Sequence, residues 1–179
     1  MKKGLLLGLL VCTMSFGQKQ AYDFLDQIGL VKAVLPNAQI IGVMVGPKDY
    51  QSLIQHMGVA QTQYGINVIP IKLNDVRTKV PQYMKMAAIG VVKNHNIDAL
   101  VFIEGQDNIT KSGVGIKYTS GSLNKKKIPV FSSDEKANKL GCLGKFVLSD
   151  DQWTVHIDAV LAEKLGITIA YDDSQIIRN

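Results

Sequence analysis

IPVFSSDE, residues 128–135, decides the fold. Ile128, Val130 and Phe131 make a short apolar run that ends abruptly in Ser132, Ser133, Asp134 and Glu135. A run this short and this apolar reads as a buried parallel strand, and the polar residues behind it as the first turn of a helix. In an open α/β sheet, ligands bind just beyond the carboxyl ends of the strands, so the cluster marks a candidate site. Ser133 or Asp134 can also cap the helix, and capping does not exclude binding.

Working upstream, residues 97–103 form the most apolar strand and end in Glu104, Gly105, Gln106, Asp107 and Asn108. This second polar cluster, on a neighbouring strand end, suits an ammonium group or a hydroxyl. Residues 38–45 are an apolar stretch rich in β-branched residues and stopped by Gly46 and Pro47, which is the punctuation of a buried strand followed by a helix. Tyr50, Leu53, Ile54, Met57, Ala60 and Tyr64 recur at three and four, so residues 49–64 form an amphipathic helix closed by Gly65. A second strand follows over residues 66–73, and Pro70 places it at a sheet edge. Met84, Ala87, Ala88, Val91 and Val92 give a helix over residues 80–95, and residues 21–35 give a leading helix ahead of the first strand. Residues 109–127 are rich in Gly, Ser and Lys with little periodicity, which reads as a loop with at most a short helix.

Downstream, a short helix ends at residues 138–141, and two apolar runs, 145–148 and 153–157, flank Ser149, Asp150, Asp151 and Gln152 as a hairpin. Asp158 caps a final helix through Leu165, Gly166 ends it, and residues 167–170 add an extended piece before a ragged tail. Strands alternating with helices imply an α/β, Rossmann-like three-layer sandwich whose mostly parallel sheet is made mixed by the C-terminal hairpin.

With 179 residues, 46% hydrophobic and 20% charged, the chain is one globular domain. Lys2 and Lys3 precede an apolar run over residues 5–16 and a Ser15-Phe16-Gly17 cleavage pattern, so residues 1–17 are expected to be a signal peptide and residues 18–179 the exported domain. Val11 is bulkier than a lipoprotein cleavage site wants, which leaves Cys12 in the discarded peptide. Cys142 is then the single mature cysteine, and no intramolecular disulfide can form. Of the formal net charge of +5, Lys2 and Lys3 supply two, and the remainder is too small for a nucleic-acid groove. The run Lys125, Lys126, Lys127 reads as solvated loop charge.

There is no glycine-rich phosphate loop of the right spacing, no paired metal ligands on a helix and no nucleophile elbow. His56, His95 and His156 are isolated in sequence. A non-catalytic protein without metal or cofactor is expected.

KAVLPNAQIIGVMVGP, YGINVIPIKL, IDALVFIEGQDN, KIPVFSSDE and LGCLG follow one another in an order that resembles the second lobe of ABC transporter substrate-binding proteins, the aromatic-amino-acid group. The resemblance covers residues 32–144 and resumes at WTVHIDAVLAEKLGI. It implies a periplasmic-binding-protein type I lobe, a small polar or amino-acid-like solute, an ABC permease as partner and a periplasmic location. It also implies that Asp107, Asn108, Ser133 and Asp134 are ligand contacts. The family's first lobe is absent and a hairpin replaces a helical stretch, so a cleft would be completed in trans, for instance by a homodimer. The segment GKFVLSDDQWTVHIDAVLAEKLGITI also resembles the end of YfiR-type periplasmic regulators. That resemblance implies an alternative partner, an inner-membrane sensor or diguanylate cyclase.

Overall fold

Isoleucine, valine, leucine and other apolar residues fill the two central strands because the sheet is covered there on both faces, where branched side chains pack well. The computed structural model describes residues 15–73, 80–103, 109, 112–169 and 175–178. Seven strands form one sheet: β1 (Ile40–Val45), β2 (Asn67–Lys72), β3 (Ala99–Phe102), β4 (Val130–Ser132), β5 (Gly144–Ser149), β6 (Gln152–Ile157) and β7 (Ile176–Arg178). Their order is β2-β1-β3-β4-β5-β6-β7. The first five in this row run parallel, β6 is antiparallel to β5, and β7 is parallel to β6. The expected α/β, mostly parallel architecture with a C-terminal hairpin is therefore present.

Among the described residues, five α-helices cover the sheet: α1 (Ser15–Val34), α2 (Pro47–Tyr64), α3 (Val80–His95), α4 (Gly113–Asn124) and α5 (Ala159–Leu165). Because side chains alternate across each strand, Ile41, Val43, Val45, Ala99, Val101 and Phe131 pack with α1, α2 and α5 on one face. Met44, Leu100, Phe102 and Val130 pack with α3 and α4 on the other. Two separate apolar layers result, one on each side of the sheet.

Local chemistry explains the punctuation. Gly65 adopts φ +67° and its N–H reaches the carbonyls of Ala60 and Gln61, while Gly166 does the same for α5 at φ +75°. Asp158 accepts the Leu161 N–H at 2.9 Å and starts α5. Asp150 and Asp151, at φ +50° and +61°, make the two-residue turn whose twist suits the β5–β6 hairpin. The Asn67 and Leu73 N–H groups bond to the Gln39 and Val45 carbonyls of the β1 segment, so the alternate residue Pro70 presents its missing donor outward and costs no ladder bond.

Three features depart from the sequence reading. Residues 113–124 are a twelve-residue helix, not a loop. Its glycines and hydroxyls give it a weak intrinsic preference, but Ile116 and Leu123 are fully buried and tertiary packing decides the outcome. The segment after β4 turns through residues 135–137 into a single 3₁₀ turn, Asn138–Leu140, that Gly141 stops at φ +87°. The tail contributes β7, whose Ile176 is buried against the first apolar layer.

Candidate functional site

The sheet carries its candidate site where its connectivity changes direction. β1 and β3 lie side by side, yet β1 feeds α2 on one face and β3 leads to α4 on the other. Between strands whose crossovers part in this way, a crevice opens at the carboxyl ends. Met44, Phe102, Ser132 and Lys145 stand in one row across β1, β3, β4 and β5, so the residues that follow them form the rim.

Two helix starts face this rim without a side-chain cap. Gly46 precedes α2 and Ser112 precedes α4, and neither donates a capping oxygen to its helix. The leading N–H groups of such a helix have no partner within the helix and carry partial positive charge, which favours an anionic or carboxylate ligand. On the outer side of the rim, the Lys72 ammonium lies 4.8 Å from the centroid of the Tyr50 ring and holds that ring against β2.

Ser132, Ser133 and Asp134 are brought together at the end of β4. Ser132 is fully buried and its Oγ accepts the Asp134 N–H at 3.2 Å. The Asp134 Oδ1 accepts the Lys136 N–H at 2.7 Å, and its carbonyl accepts the Ala137 N–H at 2.9 Å. Asp134 therefore closes a turn and does not cap an α-helix, which corrects the expected strand-to-helix junction: only six residues separate it from the left-handed Gly141. Ser133 differs from both neighbours, since its Oγ is shielded from solvent and makes no hydrogen bond among the described residues. Asp107 and Asn108 lie outside the described residues.

The other reactive groups are occupied or inert. Cys142 is a free, fully buried thiol whose pKa is pushed well above its ordinary value by burial and, secondarily, by the negative charge of Asp134. His56 Nδ1 lies 2.8 Å from the Ser52 carbonyl one helical turn back, and His95 is exposed at the end of α3. His156 sits opposite Lys145 in the β5–β6 pair, half-buried. Among the described residues no three His, Cys, Asp or Glu side chains gather to hold a metal ion, and no helix is long and apolar enough to cross a membrane.

Sequence reading missed the α4 start at Ser112. A signal existed: Ser112 precedes Ile116, Thr119 and Leu123, spaced at three and four, but the intervening glycines obscured it.

Solved structures share this fold. A conserved domain protein from Vibrio cholerae is similar over 82% of this chain and 56% of its own, with TM-score 0.64 and 19% identity. An ABC domain in complex with L-Trp from Streptococcus pneumoniae is similar over 86% and 62%, with TM-score 0.62 and 16% identity. A substrate binding protein with adhesive properties from Clostridium difficile, in a ligand-free, open structure, is similar over 85% and 58%, with TM-score 0.62 and 16% identity. The chain thus spans 56–62% of the length of these structures. No curated protein matches it, and the resemblance of its C-terminal quarter to YfiR-type regulators finds no support among these relatives. A model of the family described as ABC transporter substrate binding protein matches residues 16–165, nearly the whole described chain, and the protein belongs to that family.

Proposed function

We propose that this protein is an exported, non-catalytic solute binder that supplies one wall of a ligand cleft, and that its ligand is a small polar molecule bearing a carboxylate, of amino-acid type. The observation that carries the reading is the Ser133 hydroxyl at the end of β4, shielded from water and without a partner among the described residues. A buried polar group left unpaired costs about 1–3 kcal/mol, which a ligand's carboxylate or hydroxyl would recover. The start of α4, which has no side-chain cap and no acidic residue in its first turn, adds partial positive charge for the same carboxylate. Asp134, with Asp107 and Asn108 further along the sequence from β3, would receive the ligand's donors. Residues 1–17 act as a signal peptide in this reading, the protein works in the periplasm, and an ABC permease takes the solute from it. A second lobe, from another chain or a second copy, closes the cleft. The regulator alternative is not favoured, since the family match extends over the sheet that forms the rim.

The test is calorimetric titration of the purified chain with a panel of L-amino acids. Saturable binding that weakens about tenfold in Ser133→Ala, and is lost in Asp107→Ala/Asp134→Ala, supports the reading; about tenfold corresponds to one hydrogen bond to a charged group. Unchanged affinity in both variants would remove the site, and heat from no member of the panel would remove the ligand class.

A further inference from the structure

The sheet's two helical layers differ in surface chemistry. α3 with the turn after it, residues 80–96, and α4 with its turn, residues 112–128, together carry six lysines, Lys85, Lys93, Lys117, Lys125, Lys126 and Lys127, and not one Asp, Glu or Arg. The opposite layer mixes signs: Asp26 and Lys32 on α1, Lys48 and Asp49 on α2, Glu163 and Lys164 on α5.

The same basic layer exposes large apolar side chains. Met86 on α3 is 58% exposed, Val114 and Tyr118 on α4 are each 59% exposed, and Tyr83 of α3 is also exposed. Helical geometry puts the two kinds of residue on one surface. Met84 and Ala88 point α3 into the core, which turns Tyr83, Met86 and Lys93 outward, while Ile116, Thr119 and Leu123 bury the inner side of α4 and leave Val114, Lys117, Tyr118 and Lys125 outward. Gly90 and Gly121, with nothing packed over them, flatten each stripe.

We propose that the outer face of α3 and α4 docks on an anionic lipid bilayer. Charge complementarity selects the partner. A second copy would bring six lysines against six, and carboxylates to relieve them are absent from these two helices and their turns. Protein interfaces favour arginine, whose planar fork reads carboxylates, and deplete lysine. A bilayer asks for less geometry: long lysine stems lie along the surface with ammonium groups among the phosphates, and tyrosine, methionine and valine enter the headgroup boundary. The stripe begins at Val114, in the first turn of α4, and runs along the helix away from the strand-end rim through Tyr118 to Lys125.

Sedimentation of the full chain with vesicles of phosphatidylcholine, with and without phosphatidylglycerol, tests this. The expected result is binding to the phosphatidylglycerol vesicles only, released by high salt. Lys117→Gln/Lys125→Gln should weaken it about 30-fold, as the loss of two lysines at an anionic surface implies. Met86→Ser/Tyr118→Ser should weaken it at unchanged salt dependence, and Lys164→Gln, on the far layer, should leave it within about twofold. All five positions are at the surface, so matching thermal unfolding curves show that each variant is folded. Equal binding to both vesicle types, no binding to either, or a lysine pair without effect would overturn the proposal. So would a dimer, seen by light scattering, that Met86→Ser/Tyr118→Ser dissolves and vesicles leave untouched.

Discussion

Asp98, at the foot of β3, and Ile40, the first residue of β1, hold each other twice: the Asp98 N–H donates to the Ile40 carbonyl at 2.7 Å, and the Asp98 carboxylate accepts the Ile40 N–H at 2.8 Å. The same Oδ2 takes the Gln39 N–H at 2.7 Å. One side chain thereby sets the register of the two central strands at the end opposite the rim. Asp98→Ala should destabilise the fold by about 1–2 kcal/mol, at the lower range for charge-assisted bonds because the site is exposed, whereas Asp98→Asn should retain about half of the contribution. Urea unfolding checks both values.

Gly144 opens β5 opposite Phe131, whose ring stacks on Phe146 with centroids 5.9 Å apart. A Cβ at residue 144 would collide with the Phe131 ring and stand 2.9 Å from Val155. Gly144→Ala should therefore cost about 1–3 kcal/mol by overpacking, although alanine normally suits a strand no worse than glycine. A midpoint equal to that of the parent chain would show that the ring yields freely.

Cys142 should be silent toward thiol reagents in the native state and react only as fast as the chain unfolds. Its thiol is neutral in the fold at a pH where an unfolded thiol, with an ordinary value of about 9, has ionised. The unfolded state then binds fewer protons, so stability falls as pH rises above about 9, by at most about 1.4 kcal/mol per pH unit. Tyr64, raised by burial and by Asp26, adds a loss of the same sign above about 10. Cys142→Ala should flatten the pH dependence between these two values, and an unchanged slope in alkaline denaturation would contradict the assignment.

α4 is tied to the turn after β4 by its own polar side chains. Ser120 Oγ donates to the Leu140 carbonyl at 2.5 Å, and Asn124 Nδ2 donates to the Gly141 carbonyl at 2.9 Å. Ser120→Ala and Asn124→Ala should each cost about 1 kcal/mol, with less than the sum in the double variant because both bonds hold one turn. Chemical denaturation of the three variants measures the coupling.

These side chains also explain why α4 was illegible in the sequence. Gly113, Gly115, Gly121, Ser120 and Ser122 look like loop chemistry, and the reason they are helical lies far along the chain, in carbonyls of the Asn138–Gly141 turn, 17 and 20 residues from the side chains they bond, and in Met84, against which Gly115 packs. Elements governed by local rules were readable: Gly65 and Gly166 end their helices, Asp158 starts one, and Asp150-Asp151 turn the hairpin. The candidate site was legible as a place, because apolar runs announce where strands stop. Its chemistry was less so. Ser133 and Asp134 are adjacent and of similar type, and only the fold shows that Asp134 spends an oxygen on Lys136 while Ser133 spends none.

Pro70 has one further effect. It stands in the middle of an outermost strand, with its missing donor turned toward solvent. A neighbouring molecule that tried to add a strand there would find the ladder broken at its centre, and at the far margin β7 offers only three residues, the last of them Arg178. Short and interrupted margins deter molecules from joining into continuous sheets. Replacing this proline by valine would leave the folded molecule's own ladder whole while giving fibril growth a starting edge.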